Sequence, residues 1–168
     1  MIFENLIKQN REAFIAKVIK VAAYLKVQPE HLMFLMWFET AKTFNPAIQN
    51  KTTKATGLIQ FMPSTAKFLG TTVEELKLMS NVQQMDYVQK HLGIFKGKYK
   101  DWLDLYCGIF WPAAVGKPDN YVISSRIVAK QNPIFDIDKD GDIEKVEIRT
   151  ALLRQIPTVY KPYFIPNA

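Results

Sequence analysis

Apolar positions recur at helical spacing along most of the chain, and strand-like alternation is scarce. Residues 5–26 carry Phe14, Val18, Ala22 and Leu25 three and four apart, with Lys17, Lys20 and Lys26 off that stripe. This predicts an amphipathic helix packed on a core rather than one lying on a membrane. Pro29 suits the first turn of a second helix ending near Glu39. Its run His31-Leu32-Met33-Phe34-Leu35-Met36-Trp37-Phe38 is apolar on nearly every side, so this helix should be central. Residues 43–57 are polar and read as loop. Pro63 opens a short helix that Gly70 stops. Thr72 with Glu75, and Ser80 with Gln83, have capping-box spacing. The second box starts a helix with Met85, Val88, Leu92 and Phe95 on its core face. Asp101 can cap a helix carrying Trp102, Leu105, Tyr106 and Ile109 up to Pro112. Asp119 can cap another over 120–131, which Asn132-Pro133 ends. The expected class is therefore mainly α. The division expected is a main helical domain over 1–132 and a loop, helix and tail over 133–168.

The 168 residues are 48% hydrophobic and 23% charged, which supports a packed core and excludes a disordered chain. The net charge of +6 fits either a solvated surface or attraction to a polyanion, such as bacterial cell wall. Nucleic acid is disfavoured, because no basic cluster with interleaved aromatics occurs. No apolar stretch reaches the roughly eighteen residues of a membrane span, and Met1-Ile2-Phe3-Glu4-Asn5-Leu6 is not expected to act as a signal peptide. The single cysteine, Cys107, sits in an apolar segment and reads as a small core residue.

Two constellations carry chemistry. Glu39 closes the apolar run, and no Asp or Glu follows until Glu74. A carboxyl among apolar side chains resists ionisation and can deliver a proton near neutral pH. The second is Asp136-Ile137-Asp138-Lys139-Asp140-Gly141-Asp142-Ile143-Glu144-Lys145-Val146-Glu147, which matches the EF-hand loop at its diagnostic places. Asp136, Asp138 and Asp140 would offer carboxylates, Asp142 its backbone carbonyl, and Glu147 a bidentate carboxylate. Glu144 would act through a water. Such hard oxygen donors select calcium. With one loop only, and Asn132-Pro133 interrupting the entering helix, a structural calcium that fastens a helix over 148–156 is expected rather than a sensor.

The order Glu39-Thr40, Phe44-Asn45-Pro46-Ala47, then Gly57-Leu58-Ile59-Gln60-Phe61-Met62-Pro63-Ser64-Thr65-Ala66 resembles the soluble lytic transglycosylases, which share a lysozyme-like fold with goose-type lysozymes. The resemblance covers residues 30–70 well. It is weaker over Leu105 to Val115, where Cys107 stands in place of a usual Asn and two residues are inserted before Pro112. EF-hand loops also occur in some members. The resemblance implies cleavage of peptidoglycan between N-acetylmuramic acid and N-acetylglucosamine. Glu39 would be acid and then base, the substrate acetamide would assist, and a 1,6-anhydro ring would form. Gln60, Tyr106, Thr40, Phe61 and Met62 would line or order the substrate site. For Gln60, Tyr106 and Thr40 a purely structural role stays open, as it does for packing by Phe61 and Met62. A muramidase using water and a non-catalytic wall-binding module are the alternatives. An inverting hydrolase needs a second carboxylate about 6.5–9.5 Å from the acid. Residues 40–73 supply none, carrying Lys42, Lys51, Lys54 and Lys67 instead, although Asp86, Asp101 or Asp104 could fold close. A monomer is expected. The setting implied is a phage-type endolysin held in the host cytoplasm or carried in a virion.

Overall fold

The computed structural model describes residues 1–123 and 126–165. Its backbone is mainly helical, as the hydrophobic spacing requires. It forms two compact units, Met1–Gly97 and Lys98–Ala168. The division expected at 132/133 falls within the second of these.

The first unit holds α1 (Arg11–Leu25), α2 (Pro29–Glu39), α3 (Pro63–Phe68), α4 (Val73–Leu78) and α5 (Asn81–Gly93). Helix α2 is its centre, with Leu32 through Trp37 all buried. A helix apolar all round can satisfy its side chains only by burial on every side. Helix α1 packs on α2 and α5 through Phe14, Val18, Ala22 and Leu25. It starts at Arg11 rather than at residue 5. Asn10 takes a left-handed φ of 51°, and a 3-10 turn, Glu4–Leu6, precedes it. Ile2, Phe3 and Ile7 are buried individually, so tertiary packing pulls this segment out of the helix. Both capping boxes form. Thr72 Oγ1 accepts from Glu75 N at 3.1 Å, and Ser80 Oγ accepts from Gln83 N at 3.2 Å. Helix α5 buries Met85, Val88 and Leu92, while Phe95 falls beyond its end and is half-buried.

The second unit holds α6 (Trp102–Phe110), β1 (Val122–Ile123), α7 (Arg126–Gln131), β2 (Ile143–Glu144) and α8 (Lys145–Gln155). Asp101 caps α6, accepting from Asp104 N at 3.0 Å. The helix expected over 120–131 is shorter. Val122 pairs with Glu144 and Ile123 with Ile143 in an antiparallel ladder, and the helix starts at Arg126. The β-branched pair finds strand partners at the far end of the acidic loop, which outweighs local helix signals. Ser124 and Ser125, inside that expected helix, lie outside the described residues. Asp119 does not cap it, but binds Arg149 of α8 at 2.8 Å. Helix α8 begins at Lys145, three residues earlier than expected.

Candidate active site

Glu39 is the last residue of α2. Its neighbour Thr40 is fully buried and saturated. Thr40 Oγ1 donates to Met36 O at 2.6 Å and accepts from Phe44 N at 2.9 Å. Thr43 Oγ1 in turn donates to Thr40 O at 2.7 Å. The hydroxyl therefore closes the helix end, which is the local role left open for it. Ala41, Lys42 and Phe44 then adopt left-handed φ values of 49°, 70° and 53°. For non-glycine residues each costs of order 1–2 kcal/mol, and such strain concentrates at functional sites.

The Glu39 side chain is part-buried, and desolvation pushes its carboxyl pKa up to about 8. Among the described residues no hydrogen bond or ion pair reaches that carboxyl. The nearest basic residue in sequence, Lys42, places Nζ over the Trp37 ring, 5.1 Å from its centroid. The C-terminal end of a helix is also the end least hospitable to a carboxylate. Glu39 thus carries its proton at neutral pH and can give it up to a bound acceptor.

The segment 56–61 forms a tight turn closed by bridges from Thr56 to Gln49 and to Phe61. Gly57 has φ 85° and Gln60 has φ 50°. Gln60 Nε2 donates to Gly57 O at 3.1 Å, which leaves the amide oxygen to accept. Phe61 is buried, edge-on to His91 with centroids 6.3 Å apart, so of its two open roles packing is the one seen. Met62 is 44% exposed just before α3 and can present its side chain to a ligand. Gln84, which the sequence reading passed over, is completely buried beside this turn. It stands on the α5 stripe with Asn81, Met85 and Val88. A polar amide on an apolar stripe is the signal that could have found it, since a buried amide must have partners.

Tyr106 belongs to the second unit. It is buried on α6, stacks on Phe110 at 5.8 Å and meets Phe135 edge-on at 5.8 Å. Cys107 is buried beside it, and burial pushes its thiol up to about 12, so it stays protonated and packs as expected. The three other acids that could have served as a second carboxylate are all engaged. Asp86 pairs with Lys17, Asp104 with Lys145, and Asp101 with Arg149.

In the acidic loop, carboxylate oxygens of Asp136, Asp138 and Glu147 lie within 4.8 Å of one another. Asp136 Oδ1 is buried with no hydrogen-bond partner among the described residues. Glu147 Oε1 accepts from Ile137 N at 2.8 Å and Oε2 from Glu144 N at 2.8 Å. Gly141, at φ 92°, makes the turn. Asp140 is exposed, and its Oδ1 accepts from Asp142 N at 2.8 Å, so it stands apart from the converging three. Converging carboxylates with an orphaned buried oxygen are the donor set a hard cation fills.

No curated protein and no solved structure matches this chain. A family model, the Transglycosylase SLT domain, matches residues 17–106. That stretch takes in Glu39, Thr40, Gln60, Phe61 and Met62 and ends on Tyr106, while the acidic loop lies outside it. The match spans more than half of the chain, which therefore belongs to the transglycosylase SLT domain family.

Proposed function

We propose that this chain is a lytic transglycosylase that cuts the β-1,4 bond between N-acetylmuramic acid and N-acetylglucosamine, with Glu39 as its single acid and base. Glu39 donates its proton to the glycosidic oxygen as the C1–O bond breaks. The substrate acetamide oxygen supports the charge left at C1. The Glu39 carboxylate then takes the proton of the C6 hydroxyl, whose oxygen bonds to C1 and closes the 1,6-anhydro ring. No water is consumed, and the acid is regenerated protonated. Gln60 would hold the sugar against Glu39, with Met62 beside it.

The observation that carries this reading is a desolvated carboxyl, unpaired among the described residues, followed by a segment, 40–73, that contains no other acid. Asp86, Asp101 and Asp104, each tied to a cation, are poorly suited to activating water. The test is mass spectrometry of products from purified peptidoglycan. Anhydro-muropeptides from the wild type, and none from Glu39→Gln, are expected. Reducing ends would make the enzyme a hydrolase, and unchanged lysis by Glu39→Gln would remove Glu39 from the chemistry.

The loop 136–147 would hold a calcium ion through Asp136, Asp138, Glu147 and, on closing, Asp140, with the Asp142 carbonyl. The ion would neutralise mutually repelling carboxylates and fasten the start of α8. It would take no part in bond cleavage. A higher melting temperature in calcium than in excess chelator is expected, and equal melting would count against the site.

A further inference from the structure

Three segments from different parts of the chain meet on one buried amide. Gln84 Nε2 donates to Pro46 O at 2.6 Å and to Leu76 O at 2.6 Å. Gln84 Oε1 accepts from Leu58 N at 2.9 Å. Pro46 lies in the loop that follows Glu39, Leu76 lies on α4, and Leu58 lies in the turn that projects Gln60. Both hydrogens of the amide and its oxygen are used, so the geometry admits one orientation of the side chain. Gly57 confirms how close the turn sits. A Cβ there would stand 2.4 Å from Gln84 Oε1, and the left-handed φ already favours glycine. Gln60 closes the relay, because its own amide binds the Gly57 carbonyl at 3.1 Å.

We infer that Gln84 is a positioning residue, which acts by fixing the 57–60 turn and the 43–47 loop so that Gln60 is held at the sugar. This rests on the glycan-cleaving reading above, in which Gln60 touches the substrate. A helix residue whose side chain supplied only core volume would be apolar, like Met85 and Val88 beside it. An amide at this place costs a buried polar group unless all three partners are met, and here they are met by backbone atoms of the 43–47 loop, the 57–60 turn and α4. Its specificity lies in register. Leu58 N and Pro46 O come from loops with no regular ladder of their own, so without the amide each could settle elsewhere.

The experiment compares wild type with Gln84→Met, Gln84→Glu, Gln60→Ala and the Gln60→Ala/Gln84→Met double variant. Each is assayed on soluble, uncrosslinked glycan strands, well below its melting temperature, with kcat and KM separated. Gln84→Met keeps the volume and loses the three bonds. It should lower kcat on the order of a hundredfold, the scale of a small misplacement at a site, while the far-UV spectrum and cooperative melting persist. Gln84→Glu, its carboxyl kept protonated by burial, retains the acceptor and one donor and should recover part of that loss. In the Gln60→Ala background Gln84→Met should cost little more, because the two act as one unit. Full kcat in Gln84→Met would overturn the inference, and so would losses that multiply in the double variant. Should Gln84→Met not fold, Gln84→Glu decides alone, and wild-type kcat there is the overturning result. If Gln60→Ala keeps full activity while Glu39→Gln is dead, the substrate role of Gln60 fails, and the relay with it. If Glu39→Gln stays active, the catalytic reading fails first.

Discussion

Glu39 and Asp104 are carboxylates set among apolar side chains, one in each unit, and the protein treats them in opposite ways. Asp104 is 1% exposed and fully compensated. It receives Lys145 Nζ at 2.6 Å, Gly116 N at 2.9 Å and Lys100 N at 2.8 Å. Lys145 spends a further hydrogen on Lys117 O at 2.7 Å. The neighbouring Arg149 joins Asp101 and Asp119 on the same helix face. Among the described residues Glu39 has no such company, and its proton affinity rises instead. The second unit neutralises its buried acid with a cation and gains a fixed joint between α6 and α8. The first unit leaves its acid protonated near neutral pH, as the proposed role of proton donor requires. A buried carboxyl is evidence of chemistry when it lacks compensation, and of architecture when it has it.

The largest way to break this contrast is Glu39→Gln, which should lower lytic activity by about 10²–10⁴-fold, the range for a general acid. The same change should stabilise the fold near neutral pH. The folded pKa of about 8 lies above the unfolded value of 4.5, so between these the unfolded chain ionises Glu39 and the folded one does not. Stability therefore falls as pH rises through that window and levels off above it. Glu39→Gln should remove this slope, with its gain in melting temperature seen at pH 7–8 and absent below about pH 4.5. In the wild type, kcat/KM should decline above about pH 8 as the acid loses its proton.

Next in size is Lys145→Met, which strands Asp104. Breaking a buried pair costs about 3–5 kcal/mol, to be read from denaturant unfolding, and Asp104→Leu/Lys145→Met should recover most of it. Smaller still is the acidic loop. Calcium at about a hundred times its dissociation constant should add about 2.7 kcal/mol to stability, and Glu147→Gln should shrink the melting difference between calcium and chelator. The smallest effect is expected at Asp119. The hydrogen bonds from Arg149 hold its carboxyl below the usual range. Its contribution is present above the unfolded pKa and is lost as pH falls through the lowered folded value. Because this pair is partly exposed, Asp119→Asn should cost less than about 1 kcal/mol at neutral pH and nothing in strong acid.

Features governed by neighbours a turn away could be read from residue order alone. The two capping boxes, the proline starts of α2 and α3 and the all-round apolar face of α2 belong here, as does the ordered motif from Glu39 to Ala66. Each depends on contacts within about one helical turn or on residue types in sequence. Contacts across long separations decided the rest. Val122–Ile123 became a strand because residues 143–144 offered a partner, and Asp119 turned from cap to ion pair because α8 brought Arg149 to it. Gln84 gained its meaning only when Pro46, Leu58 and Leu76 converged on it. The proton affinity of Glu39 belongs to the same class. Residue order placed an acid at the end of a greasy helix, but desolvation sums over every atom that excludes water, wherever in the chain it comes from.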